Sequence, residues 1–323
     1  MLQALSGGRG FRRHNARQVR RDAGGRLRRH ASQPAVRAQR AHRRDSIAAP
    51  PDVRRLRCEP RAGRRLRRLG RARRFRSSAR AIGAAGMIAN PEPEEVLRWA
   101  YENFNRVAIV ASFQAESSVI IDIASRVRPD LSVLTLDTGR LPQETHDMID
   151  RVRERYRIEI QVVHPDAEEV RQVVSQHGIN LFYNSPDLRR LCCDVRKSRP
   201  LDRALRGYDA WVTGVRREQS VTRAETPIFT VDEQHHGIAK IAPLATWSKG
   251  QVWDYIRANH LPYHALYDQG YTSIGCAPCT RATSAGEDER AGRWWWEQNE
   301  LKECGIHYSP DGRPRPFNGS TDQ

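Results

Sequence analysis

The chain has 323 residues, enough for one large domain or two small ones, and a formal net charge of +17 that would by itself point to nucleic acid. The location of the charge removes that inference: residues 1–86 hold 26 arginines, no lysine and four acidic residues, net +22, whereas 87–323 hold 29 basic and 34 acidic residues, net −5. No apolar run approaches the roughly 20 residues that cross a bilayer, no secretory h-region appears near the start, and the clustering of the six cysteines does not resemble a secreted disulfide scaffold.

The expected compartment is the reducing cytoplasm, with no membrane partner and no nucleic acid for the folded part. Residues 1–86 repeat Arg-Arg pairs among Ala, Gly and Leu without a helical or strand period. Such a segment buries too little apolar surface to offset the entropy of ordering it, so it is expected to be a disordered Arg-rich extension. Three readings of it stand: an upstream extension outside the native protein, with synthesis starting at Met87; an organellar transit peptide; or a basic arm.

Order is expected from Met87. Asn90 is placed to cap a helix with Pro91 at its first position, Glu94 and Glu95 in its first turn, and Leu97, Tyr101 and Phe104 on one face. Val107–Ala111 is a continuous apolar run, the mark of a strand covered on both sides. A polar turn, Ser112 to Glu116, leads into a helix through Ile120, Ile121 and Ala124. Ser132–Leu136 is the next strand, followed by a helix at Pro142–Tyr156, a strand at Ile158–Val163 and a helix at Asp166–His177. Ala210–Thr213 and Ile238–Ile241 read as further strands, and Ser248 with Gln251 forms a capping box ahead of a helix at Val252–Asn259. Gly270 to Arg293 reads as a loop built around cysteines, and the tail from about residue 308 as mobile. Alternation of this kind predicts an α/β fold: a doubly wound, mostly parallel sheet with helices on both faces.

Ligands of such sheets bind beyond the carboxyl ends of the strands. Ser112–Ser118, Asp137–Leu141 and Gly214–Ser220 lie at such ends. The first could receive an anion at a helix N-terminus or be an ordinary strand–helix turn; it has no Gly-Lys-Ser/Thr. Cys192-Cys193 and Cys276-Ala-Pro-Cys279 offer four thiolates, which suits tetrahedral zinc or a 4Fe–4S cluster. Cys304 stands apart in Lys302-Glu303-Cys304-Gly305-Ile306-His307. It is either a thiolate activated by nearby cations or a surface cysteine in a basic tail. Arg290 and Arg293, ahead of three tryptophans, and Arg216 and Arg217 present forks suited to sulfate or phosphate oxygens, or else solvated faces.

Together these motifs resemble the thioredoxin-dependent sulfonucleotide reductase family, in its adenosine 5′-phosphosulfate-reducing bacterial branch. The resemblance runs from about Phe104 to His307. It is carried by Leu136-Asp137-Thr138-Gly139-Arg140-Leu141, by Cys192-Cys193 with Arg196-Lys197, by Thr213-Gly214-Val215-Arg216-Arg217-Glu218-Gln219-Ser220, by Cys276-Ala277-Pro278-Cys279, by Arg290 to Trp296 and by Lys302 to His307. It implies an adenine-nucleotide α-hydrolase-like (ATP pyrophosphatase-type) fold for 87–323. Ser112, Phe113 and Gln114 would lie in the nucleotide loop, and one 4Fe–4S cluster per subunit would sit on Cys192, Cys193, Cys276 and Cys279. Lys197 would stand between cluster and sulfate, with one of Arg216 or Arg217 together with Arg290, Arg293 and His307 on the phosphosulfate. Cys304 would be the nucleophile, passing through an S-sulfonate to release sulfite and AMP. The reductant would be a separate thioredoxin, the assembly a homo-oligomer, and the pathway sulfate assimilation and cysteine biosynthesis. Rival expectations are a phosphoadenosine phosphosulfate or dual-substrate reductase, a tRNA thiolase with an iron–sulfur cluster, and a zinc-binding interaction module.

Overall fold

Alternating short apolar runs and amphipathic stretches resolve, in the computed structural model, into one six-stranded sheet flanked by helices. The structure describes residues 77–83, 91–297, Glu303 and Ile306. The strands are β1 (Val107–Val110), β2 (Ser132–Leu136), β3 (Ile160–Val163), β4 (Ala210–Val212), β5 (Phe229–Asp232) and β6 (Ile238–Ile241). The helices are α1 (Pro93–Asn103), α2 (Ala115–Val127), α3 (Gln143–Tyr156), α4 (Ala167–His177), α5 (Pro186–Cys193), α6 (Arg199–Leu205) and α7 (Lys249–Ala258).

The sheet order is β3-β2-β1-β4-β6-β5, parallel throughout except for β5, which runs antiparallel to β6. Successive residues feed opposite faces, as strand geometry requires. Val107 and Ile109 enter one core and Ala108 the other; Val133 is opposed by Leu134, Ala210 and Val212 by Trp211, and Ala239 and Ile241 by Ile238. Residues of α1, α2, α3 and α7 fill the first core, and Leu201 and Leu205 of α6 contribute to the second. Both faces are therefore covered, which explains why the central strands carry no polar alternation. A third cluster joins Leu181, Phe182 and Trp294 to the four cysteines.

Several expected boundaries move. Asn90 lies outside the described residues; α1 is capped by a reciprocal Glu92–Glu95 box with Pro93 in its first turn. The Ser248–Gln251 box forms as expected, but α7 starts directly after Ser248, because a capping box spans the first turn instead of preceding it. The strand β5 and the helices α5 and α6 have no counterpart among the expected elements. Residues 77–83, within the stretch expected to be without structure, are helical, and Ala81 and Ile82 pack against the first core. Residues 1–76, and the tail from 307, lie outside the described residues.

Candidate active site

The chain winds from β1 outward to β2 and β3, then crosses to place β4 on the other side of β1. The crevice where the winding reverses, beyond the carboxyl ends of β1 and β4, is the expected ligand position in a sheet of this type. A cavity of about 170 Å³ lies there, walled by residues that include Ser112 and Gln114 after β1, Thr138 after β2, Thr213 and Gly214 after β4, and Lys197, Arg223, Arg290 and Arg293.

The loop after β1 is shaped by hydrogen bonds and one left-handed residue. Phe113 has φ 57° and is fully buried, so it anchors the loop and does not face the cavity. The Ser112 amide donates to the Ser117 hydroxyl (3.1 Å), and the Gln114 amide nitrogen donates to Ser112 Oγ (3.2 Å). Gln114 Oε1 accepts from the Ile274 amide (2.7 Å), which ties the N-terminus of α2 to the cysteine loop. After β4, Gly214 passes so close to α2 that a Cβ there would stand 2.8 Å from Glu116 Cβ.

The four cysteines are buried thiols, at 7–8% exposure. They share the wall of a second, smaller cavity with Arg140, Phe182, Arg189, Arg196, Lys197 and Trp294. Neighbouring residues of an α-helix point about 100° apart, and the Cys192-Cys193 pair, still in α-helical backbone, lines one cavity with both side chains. It lies at the end of α5, where the helix widens into a π turn, Asp194–Ser198. The Arg199 amide reaches back to the Asp194 carbonyl, and Pro200 has no N–H to restore the α register. Lys197 sits on that turn and lines both cavities. Burial opposes ionisation of Cys276, but Lys197, the Thr138 hydroxyl (3.2 Å from Sγ) and Arg293 hold its thiol below the usual value. Burial and the neighbouring Cys276 push Cys279 up to about 11. Among the described residues no group of three or more His, Cys, Asp or Glu side chains is arranged to hold a single metal ion; the four thiols line a cavity wall instead.

Trp294 separates the two cavities and belongs to the wall of each. Three guanidinium groups surround its ring: Arg189 at 4.5 Å, Arg293 at 4.8 Å and Arg290 at 5.9 Å. Its indole N–H is buried with no partner, as is Arg293 Nε. Arg293 itself is 6% exposed, donates to the Ile274 carbonyl (3.2 Å), and lies across Gly275, where any Cβ would fall inside the guanidinium. A buried cation with an unused donor beside a cavity is an anion-binding arrangement.

The residues expected at the site divide as follows. Ser112, Gln114, Lys197, Arg290 and Arg293 line the first cavity. Phe113 is buried beneath the loop. Arg216 is 1% exposed and committed to Glu116 (2.8 Å), Glu218 (3.1 Å) and Glu289 (3.1 Å). Arg217 donates to the Thr226 carbonyl (3.0 Å). Neither arginine is part of the cavity wall. Cys304 and His307 lie outside the described residues, although Glu303 contacts Arg223 and Arg290, and Ile306 is on the cavity wall. Arg223 and Arg189 were not singled out from the sequence, and Thr138 and Arg140, though within a quoted motif at a strand end, were given no role there. For Arg223 the available signal was a third arginine in the segment after β4.

Among the described residues no helix is long and apolar enough to cross a membrane. Fold and site define a doubly wound α/β protein with a cation-lined cavity at its switch point and a cysteine-lined cavity next to it. The phosphoadenosine phosphosulfate reductase domain model matches residues 106–282, and the chain belongs to that family. It is 50% identical to an adenosine 5′-phosphosulfate reductase of Allochromatium vinosum, over 66% of this chain and 83% of the relative. It is 44% identical to the protein of that name from Neisseria meningitidis, over 70% of this chain and 94% of the relative. A solved phosphoadenylyl-sulfate reductase from Candida auris, in a phosphate complex, superimposes with a TM-score of 0.53 at 30% identity, covering 62% of this chain and 96% of that one.

Proposed function

We propose that this protein reduces adenosine 5′-phosphosulfate to sulfite and AMP with thioredoxin as reductant, a step of sulfate assimilation leading to cysteine. The observation that carries this reading is that two cavities share Lys197 and Trp294 in their walls, one walled also by Arg223, Arg290 and Arg293 and the other by four cysteines. The relatives that match at 40–50% identity bear the adenosine phosphosulfate name.

In this scheme the arginines and Lys197 take the phosphosulfate, with Arg293 Nε free to donate to one of its oxygens. The adenylate lies across the α2 N-terminus, near Ser112 and Gln114. The Cys304 thiolate attacks the sulfate sulfur; an S–S bond forms, the S–O bond to AMP breaks, and AMP leaves with the electron pair. A thioredoxin thiolate then attacks Cys304 Sγ, sulfite departs with the electrons of the broken bond, and a second thioredoxin thiol resolves the mixed disulfide. The cysteine cavity suits a 4Fe–4S cluster on Cys192, Cys193, Cys276 and Cys279, since four buried thiols share it with Arg140, Arg196 and Lys197. When bound, such a cluster supplies a fixed, buried charge beside the sulfate position.

Purified protein given adenosine phosphosulfate and reduced thioredoxin is expected to yield sulfite and AMP in equal amounts. Cys304→Ser is expected to abolish sulfite while keeping iron and acid-labile sulfide; turnover by that variant would sink the assignment. The family's name and the Candida auris relative keep phosphoadenosine phosphosulfate as a second substrate reading, separable by competition between the two nucleotides.

A further inference from the structure

Glu303 is a buried carboxylate placed directly on two of the cavity's cations. Arg223 grips it through Nε (2.9 Å) and Nη2 (2.8 Å), and Arg290 Nη2 adds a third contact at 3.2 Å. The Thr222 hydroxyl donates at 2.9 Å and the Ser220 hydroxyl at 3.4 Å, while Arg189 Nη1 donates to the Glu303 carbonyl at 2.8 Å. The residue is 5% exposed. Burial works against its ionisation, but Arg223 and then Arg290 pull its carboxyl down to about 2, so it is a full anion at neutral pH.

A carboxylate held by a guanidinium fork uses the donors that a sulfate or phosphate group would use. Arg223 and Arg290 are both cavity wall, so the same two forks face Glu303 and the cavity. Glu303 is also the chain neighbour of Cys304. We propose that Glu303 is a positioning residue and an internal competitor: its carboxylate occupies the Arg223–Arg290 pair and is exchanged for the anionic end of the substrate. This rests on the reading that the cavity takes the sulfonucleotide. Its consequence is that anion affinity is set below what the two arginines alone would give, and that anion binding loosens the chain at the residue before the nucleophile.

The test uses inorganic phosphate and AMP as probes on the full protein, alongside turnover of adenosine phosphosulfate. Glu303→Gln is expected to bind phosphate and AMP about tenfold more tightly, the scale of one charge-assisted contact removed from competition. In the same variant KM falls and kcat falls with it, whereas Glu303→Asp, which keeps the charge, stays near the wild-type affinity. In the unmutated protein, carbodiimide labelling of Glu303 is expected to rise when phosphate is added, a readout that needs no variant to fold. Unchanged or weaker phosphate binding in Glu303→Gln, or labelling that does not rise, would overturn the proposal. If labelling and affinity respond as expected while adenosine phosphosulfate is not turned over, the competitor role stands and the substrate reading falls.

Discussion

Arg216 and Arg293 show how the same side chain serves two ends at one site. Arg216 has all three nitrogen positions committed to Glu116, Glu218 and Glu289, and its near-complete burial makes it the pin between the β4 loop and α2. Arg293 is almost as buried, but its Nε has no partner, and Gly275 leaves the space in which the guanidinium lies. Gly275→Ala is therefore expected to displace Arg293, raising KM for the nucleotide at least tenfold and costing about 1–3 kcal/mol from overpacking; steady-state kinetics and urea unfolding check both parts. Glu303 gives a pH signature. Its folded pKa is depressed from 4.5 to about 2, so its contribution is complete above about pH 4.5 and is lost as pH falls toward 2. At about 1.4 kcal/mol per unit the contribution is on the order of 3 kcal/mol. The stability gap between wild type and Glu303→Gln should narrow as the pH of urea titrations is lowered from 6 to about 3; a gap constant over that range would contradict it.

Among the elements, the helices with explicit start signals were the legible ones. Asp166 caps α4 through the amides of Glu168 and Glu169, and Ser248 caps α7 through the amide of Gln251. Ser248→Ala is expected to lower the unfolding free energy by about 1 kcal/mol, measurable by denaturant titration. The strand β5 was not legible: it has four residues, is only partly buried, and stands at the sheet edge against β6 alone. Its apolar signal is too short to separate from a loop. The α5–π–α6 segment was missed because its apolar residues are divided, Leu188 and Leu191 packing on the cysteine cluster and Leu201 and Leu205 on the second core, so no one continuous helix face runs through it. That segment nonetheless puts Lys197 on both cavities, so the irregularity of the helix is what positions the site.

At the scale of the whole molecule, the charge is divided between a strongly basic first stretch and a mildly acidic remainder. Ala81 and Ile82, ahead of the boundary expected at Met87, pack on the core. A chain beginning at Ser77 is expected to unfold at a temperature a few degrees above one beginning at Met87, because burying Ile82 in part is worth about 1 kcal/mol; calorimetry on the two proteins compares them directly.

The parallel strands, the pairing of cysteines into two motifs, and the loops at strand ends were determined by the sequence, because each depends on residues close together in the chain. Family membership followed from the same local motifs. Which arginines face the cavity was decided only by the tertiary structure. Arg216 and Arg223 are seven positions apart and chemically identical, yet one is spent on three glutamates and the other meets Glu303 at the cavity wall. Charge alone cannot say where a guanidinium is used; its partners come from distant segments, Glu116, Glu289 and Glu303, and only the fold brings them within hydrogen-bonding reach.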